Sequence, residues 1–387
     1  MPFQLTPVTG KLLIDREEEL QELVSELAKQ DSRMGFSLVG VRRVGKTSIL
    51  FEAADRLRHS GVVAIYISVW EVIPSTLESF LSTLVDKTMD AFHEKLSLGL
   101  KFRDMLRVGA DSLREVLSHV KVSAGIHDDL AITLSYVRGE SKNETEAVSH
   151  AFGLVDKMAS ATQSKCVLII DEFPSLAELK TGQKMVGTTI FRAVRTVTES
   201  YRKTAIVVSG SLMHTIQSAV LSHGAPLYGQ LANMEIKPLR EESVADFVKE
   251  YLKVEAEPDG LASLAEQSGG LPYNLQMLGR ELELRRARKL DAKAVRTAVE
   301  GVLKREGDIH FRAYLERLTP NEVGAARALA HLPAATPKDL VDECRQPLHV
   351  VTALIHGLHE KGIVLRVGRG EYRFVDPMFA HWLNPEW

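Results

Sequence analysis

Gly40-Val41-Arg42-Arg43-Val44-Gly45-Lys46-Thr47 decides the fold of this 387-residue chain. The octapeptide satisfies the pattern Gly-x-x-x-x-Gly-Lys-Ser/Thr. It follows a short apolar run, Phe36-Ser37-Leu38-Val39, and precedes a helical pattern that starts at Lys46. A strand–loop–helix of this kind wraps backbone N–H groups around a phosphate. The glycines offer no Cβ to obstruct the approach, and the helix turns its positive end toward the anion. In such a cradle Gly40, Val41, Arg42, Arg43, Val44, Gly45 and Ser48 line the phosphates. Lys46 bridges the β- and γ-phosphates, and the Thr47 hydroxyl binds Mg²⁺. The expected cofactors are therefore ATP and Mg²⁺.

Working outward, Val167-Leu168-Ile169-Ile170-Asp171-Glu172 is an apolar strand that ends in two carboxylates. Two acids also mark any point where a buried strand meets solvent. Beside a phosphate loop they acquire roles: Asp171 holds Mg²⁺, usually through water, and Glu172 orients and activates the attacking water. An acid directly after the metal aspartate points to hydrolysis rather than binding alone. The next strand ends in Ser209-Gly210-Ser211, where a hydroxyl can watch the γ-phosphate from the carboxyl edge of the sheet. Ser209 is the candidate and Ser211 the alternative. Gly269-Gly270-Leu271-Pro272 opens a later helix and can bring rigid backbone against the base or ribose. A plain helix start with Pro near its first position would look the same.

The rest of the chain arranges itself around these motifs. Strand patterns at 62–69, 166–170, 205–209 and 234–238 alternate with helical ones, which predicts a parallel sheet covered on both faces. Residues 120–137 alternate apolar and polar side chains around Gly125-Ile126-His127-Asp128, which predicts a hairpin within a partial insertion at 95–165. Helical patterns dominate from Arg240 to Gly307. Then come Thr319 and Pro320 as a helix cap, short helices, and Ile363–Val367 and Glu371–Val375 about a Gly-Arg-Gly turn, the pattern of a winged helix. The expected organisation is an α/β P-loop NTPase core of the ASCE/AAA+-like type at 1–238. A helical lid at 239–307 and a winged helix at 308–387 follow.

Composition narrows the setting. Apolar residues make up 45% and charged residues 26%, which suits an ordinary globular protein and excludes a disordered or collagen-like chain. Two cysteines without metal-ligand neighbours, and no apolar run of membrane-spanning length, predict a cytoplasmic chain without membrane contact. A net charge of −3 gives no global attraction to nucleic acid.

Together these residues resemble the archaeal-type ATPase family of P-loop proteins, close to the STAND branch and kin to AAA+ proteins. Ile14-Asp15-Arg16-Glu17-Glu18-Glu19-Leu20 is similar to the family's N-terminal motif, which implies that Arg16 lies near the adenine. Gly40 to Leu50 is similar to its phosphate loop, and Asp171-Glu172-Phe173-Pro174 and Ser209-Gly210-Ser211 to its Walker B and the following turn. Gly270-Leu271-Pro272 resembles its Gly-x-Pro element, which implies that Pro272 lets the lid sense nucleotide. The resemblance also implies the sheet order 5-1-4-3-2. One departure stands out: where the family commonly has Leu-Tyr-Gly-Arg, this chain has Leu227-Tyr228-Gly229-Gln230, with Arg192, Arg195 and Arg202 nearby in sequence as substitutes in principle.

Partners remain open at this level. A winged helix invites duplex DNA, and Arg366, Arg369 and Arg373 around the wing could grip phosphates, yet acidic side chains slightly outnumber basic ones after Leu318. Basic residues at 285–289 offer a second patch or a solvated helix face. The STAND resemblance implies instead a nucleotide-dependent scaffold that self-associates or docks protein partners, with 95–165 as the docking surface.

Overall fold

Five short apolar segments build one parallel sheet: β1 (Gly35–Gly40), β2 (Val63–Ser68), β3 (Cys166–Asp171), β4 (Thr204–Ser211) and β5 (Leu231–Glu235). They stand in the order β2-β3-β4-β1-β5, which is 5-1-4-3-2 read from the other edge. The computed structural model describes residues 3–96, 124–188, 190–211 and 225–384. Every pairing in the sheet is parallel, so the connections cross over, and those described from β1 to β4 leave helix on a face. β1 and β3 are buried at all positions, as strands covered on both sides must be.

On one face α1 (Glu17–Leu27) and α2 (Lys46–His59) close a layer of Leu20, Leu23, Ile49, Ala53 and Leu57 over Phe36, Leu38, Val167 and Val207. On the other lie α3 (Leu77–Leu96), α4 (Ala124–Val137), α5 (Glu144–Ala161) and α6 (Ile190–Glu199). Their Phe80, Leu84, Leu130, Phe152 and Phe191 meet Ile65, Leu168 and Val208. The parallel register brings the C-terminal ends of β1, β3 and β4 together, with Val39 opposite Gly210 and Ile170 opposite Val208.

The hairpin expected at 120–137 is not present where the chain is described: 124–137 is the single helix α4. Residues 120–123, like the rest of 97–123, lie outside the described residues. The physical reason is visible in burial. Ile126, Leu130 and Leu134 recur at four-residue spacing and are fully buried, and the adjacent Thr133 and Leu134 are both inside, which a strand with alternating faces cannot achieve. Alternation through Leu130–Val137 satisfies both periods, and packing against α3 and α5 selects the helical one. The described part of the segment thus packs one face of its helices into the core.

Past the sheet the chain is helical: α7 (Glu241–Phe247), α8 (Pro258–Ser268), α9 (Pro272–Leu284) and α10 (Ala292–Leu315). Then follow α11 (Pro320–Ala330), α12 (Val341–Cys344), α13 (Leu348–Glu360), the antiparallel pair β6 (Val364–Arg366) and β7 (Tyr372–Phe374), and α14 (Pro377–Leu383). Thr319 opens α11 with a capping box: its hydroxyl accepts the Glu322 N–H, and the Glu322 carboxylate accepts the Thr319 N–H at 2.7 Å. A bridge from Ala335 to Tyr372 adds a third short strand, an arrangement consistent with a winged helix. α10 runs unbroken through residue 307 and packs on α8 and α9 as well as on α14. One apolar cluster, from Phe3 through Leu278 and Phe311 to Phe379, therefore joins everything after β5. Among the described residues no helix is long and apolar enough to cross a membrane.

Candidate active site

β1 delivers the phosphate loop at its C-terminal end, and Gly45, at φ 99°, starts α2. The Lys46 ammonium is buried and donates to the carbonyls of Gly40 and Val41, both at 3.1 Å. Burial pulls its pKa below the usual lysine value, opposed by the negative charges of Glu172 and Asp171.

Asp171, at the end of β3, is 3% exposed and holds three hydroxyls. Thr47 Oγ1 donates to Oδ2 at 2.7 Å, Tyr66 Oη donates to the same oxygen at 2.9 Å, and Ser209 donates to Oδ1. The Thr47 hydroxyl and the Asp171 carboxylate form a hard oxygen set of the kind Mg²⁺ takes. Ser209 also accepts the Glu172 N–H at 3.2 Å, so one buried hydroxyl orients both acids. Glu172 itself adopts the left-handed backbone region, φ 53°, which turns its side chain off the strand axis toward the loop. Burial pushes its carboxyl above the ordinary range, opposed by the charges of Lys46 and Arg42. Ser211 ends β4, and its side chain lies outside what is described.

A cleft of about 340 Å³ opens beside these groups. Arg42, Arg43, Gly45, Lys46, Thr47, Ser48 and Glu172 line its phosphate end. The other end is apolar, with Leu5, Leu12, Ile14, Leu239, Phe247 and Leu275. Arg16 borders the cleft but is committed to bracing: its guanidinium donates to Val44 O at 3.3 Å and to Lys237 O at 2.8 Å. Asp15 accepts from Arg240 at 3.0 Å and from Ser243, which fastens the N-terminal motif to α7. Ser48 Oγ accepts the Val8 N–H at 3.1 Å and so anchors the N-terminal strap across the opening.

The turn Gly269-Gly270-Leu271-Pro272 is wedged between three parts of the molecule. Pro272 Cγ lies 3.7 Å from the point a Cβ on Gly45 would occupy. Gly270, at φ 66°, approaches Leu239 so closely that an added Cβ would stand 2.3 Å from its carbonyl oxygen. Gly269, at φ 61°, faces Pro377 at the start of α14, with 2.7 Å left for a Cβ. Arg43 completes the connection. Its guanidinium donates to Asp376 Oδ2 at 3.4 Å and to the His310 carbonyl at 3.4 Å, and lies 4.3 Å from the Tyr273 ring centroid. Asp376 is buried, caps α14 through the Met378 N–H, and accepts Asn274 Nδ2 at 2.8 Å.

Sequence reasoning places Lys46, Thr47, Asp171, Glu172, Ser209 and Pro272 in candidate roles; Lys46, Thr47, Glu172 and Pro272 line one cleft, and Asp171 and Ser209 lie buried beside it, bonded to Thr47 and to the Glu172 N–H. Tyr66, Trp70, Tyr273, Gln276 and Asp376 escaped it. Tyr66 left a signal, a polar atom between Ile65 and Ile67 in a buried strand; Asp376 left none beyond an ordinary helix cap. Gln230 bonds to Glu199, and Arg195 is taken by Glu199 and by the Pro226 carbonyl at 2.8 Å, while Arg192 and Arg202 are exposed. The wing arginines Arg366, Arg369 and Arg373 are exposed and do not line the cleft. The lid patch is partly neutralised within itself, Arg285 by Glu281 and Lys289 by Glu257.

Residues 13–278, more than half of the chain, match the family of ATPase domains predominantly from Archaea, and the chain belongs to it. It is 28% identical over 111 residues to the uncharacterized protein MJECL04 of Methanocaldococcus jannaschii, a match that spans 28% of this chain and 23% of that protein. Its fold is similar to that of the Walker-type ATPase PABY2304 of Pyrococcus abyssi, with TM-score 0.69 and 19% identity over 99% of each chain. It is also similar to the Aeropyrum pernix ORC2 protein in its ADPNP–ADP complexes, with TM-score 0.60 and 12% identity over 97% of this chain and 94% of that one. Sheet order, phosphate loop and family membership together establish a P-loop ATPase domain with an AAA+-like fold.

Ser209→Ala removes the hydroxyl shared by Asp171 Oδ1 and the Glu172 N–H, which keep only their bond to each other at 3.1 Å, an expected loss of about 1–3 kcal/mol of stability for a buried hydrogen bond to a charged group. Urea unfolding measures that loss. Nucleotide turnover should fall more than nucleotide affinity, because the two acids lose their orientation while the phosphate loop stays intact.

Proposed function

We propose that the chain is an ATP-hydrolysing switch in which Mg-ATP in the cleft moves the lid and the winged-helix unit relative to the core. One observation carries the reading: Arg43 belongs to the phosphate loop, yet its side chain is fastened to Asp376, His310 and Tyr273, all beyond the sheet. A loop that reshapes around phosphate pulls on those partners. Pro272 on Gly45 and Gly269 on Pro377 offer a second route through the same turn. Family membership supports ATP as ligand, and the ADPNP and ADP carried by the Aeropyrum ORC2 protein, of the same fold, support an adenine nucleotide.

In this reading Lys46 exchanges its two carbonyl partners for β- and γ-phosphate oxygens. Mg²⁺, held by Thr47 and through water by Asp171, would supply charge neutralisation at those phosphates. Glu172 holds the attacking water. Its oxygen bonds to the γ-phosphorus as the bond to the β–γ bridging oxygen breaks, ADP leaves, and the carboxylate takes the water proton. Ser209 keeps both acids aligned, Arg16 braces the loop from below, and Pro272 reports the state of Gly45 to α9. The core at 1–238, lid at 239–307 and winged helix at 308–387 are the working parts.

The exposed wing supports a second reading, an ATP-regulated duplex binder. Among the described residues no carboxylate lies within ion-pair distance of Arg366, Arg369 or Arg373, and the Arg366 Nε–H donates only to Gly368 O at 3.1 Å. Duplex binding that weakens steeply with salt and is lost on neutralising these three arginines would establish that role. Binding unchanged in that variant would remove the wing from consideration.

Lys46→Ala is expected to abolish ATP binding in calorimetry. Glu172→Gln should bind ATP like the parent while phosphate release stops, which holds the protein in its ATP state. Hydrolysis at parental rates by both variants would overturn the assignment of the site.

A further inference from the structure

Three arginines line the cleft among the described residues, and two of them are already spent. Arg16 is tied to Val44 O and Lys237 O, and Arg43 to Asp376 and His310 O. Arg42 differs. Its half-buried guanidinium has no hydrogen-bond acceptor and no carboxylate within reach among the described residues, and is held by ring faces alone. Its carbon lies 5.3 Å from the Trp70 centroid and 5.8 Å from the Tyr314 centroid.

Aromatic faces balance a guanidinium's charge, but they leave its five N–H donors unanswered. A planar fork of donors that waits beside a phosphate loop is matched by the oxygens of a terminal phosphate. Arg42 also stands on the side of the cleft that holds Lys46, Thr47 and Glu172, rather than the apolar end. Its charge is among those that restrain the rise of the Glu172 carboxyl, so the two groups feel each other across the cleft they both line. On its other side Arg42 borders a small cavity, about 20 Å³, shared with Tyr314, Arg317 and Asp376. The two clamping rings come from different parts of the molecule: Trp70 follows β2 in the core, and Tyr314 ends α10.

We propose that Arg42 recognises the γ-phosphate in cis, leaving the Tyr314 ring to place two N–H donors on its oxygens. ATP, but not ADP, thereby frees the end of α10 from the core. The inference rests on the ATP-binding reading and deepens it: it assigns the discrimination between ATP and ADP to a side chain of this chain, with no arginine supplied by a neighbour. Phosphoryl transfer gains most from such a cation when it is oriented before the reaction, and the aromatic clamp keeps the fork near its post in the absence of ligand.

The test is calorimetric binding of ADP and of the non-hydrolysable analogue ADPNP, each with Mg²⁺, to the full chain and to Arg42→Ala and Arg42→Lys. Arg42→Ala should weaken ADPNP by about 10–100-fold, the value of hydrogen bonds to a charged group. ADP affinity should stay within about twofold, which also shows that the variant is folded. Arg42→Lys should recover part of the loss, since it restores charge without the fork. Trp70 fluorescence, read against Trp70→Phe because the chain holds three tryptophans, should change with ADPNP and not with ADP. Equal weakening of both nucleotides, or of neither, overturns the assignment of Arg42. Failure of the parent chain to bind either nucleotide would instead overturn the ATP reading itself.

Discussion

Three cationic side chains, Arg42, Arg43 and Lys46, leave one eight-residue loop, and each is partly or wholly removed from solvent and must be compensated there. A buried positive charge without a partner is costly, and three so close together also repel one another. The fold answers each charge differently. Lys46 bonds to loop carbonyls, Arg43 crosses to a carboxylate beyond the sheet, and Arg42 lies between two rings. A phosphate in the loop would give Lys46 and Arg42 the oxygen partners that loop carbonyls and rings replace, and would add to the charge balance at Arg43. A loop whose charges are shared out among distant partners in its absence is linked mechanically to those partners.

That linkage accounts for the way the chain beyond the sheet is built. Asp376 is buried, and burial alone would favour its neutral form, with Arg43 and Asn274 acting against that tendency. It caps α14, so the charge that holds Arg43 also fixes the start of the last helix. Gly269 and Gly270 exist as glycines because the turn they form is pressed between Leu239 and Pro377, and the same turn carries Pro272 onto Gly45. α10, continuous from Ala292 to Leu315, delivers His310, Phe311 and Tyr314 to the loop arginines from one rigid element. One apolar core is shared by the helices after β5 and the C-terminal unit, so the turn packs against a single close-packed body; in the proposed switch a displacement at the turn would move that body as a whole.

What could be read in the sequence was local. The phosphate loop, the acid pair after β3 and the continuous apolar strands are contiguous patterns with direct physical causes, and from them the sheet and its ligand end follow. The wing was legible from the turn Gly368-Arg369-Gly370 between two short apolar runs. α4 misled because its alternating residues fit two periods, and only the neighbouring helices decide between them. The contacts that tie the phosphate loop to the C-terminal half were hidden for another reason. Arg43 and Asp376 are separated by 333 positions, and Trp70 and Tyr314 reach Arg42 from parts of the chain far apart in sequence. No spacing rule announces such a pair. Gln230, conspicuous in the sequence, turns out to hold Glu199 instead of facing the cleft.

The most direct measurement is the distance between core and C-terminal unit as a function of nucleotide. Spin labels at Ser60→Cys, after α2, and Glu371→Cys, beside β7, sit at exposed positions, one in the core and one in the C-terminal unit. A Glu172→Gln background with Cys344→Ser keeps ATP intact and the labelling specific. Pulsed dipolar spectroscopy should give one distance distribution without nucleotide and with ADP, and a displaced one with Mg-ATP. A single distribution in all three states would contradict the account, leaving a P-loop site whose occupancy the C-terminal unit does not feel.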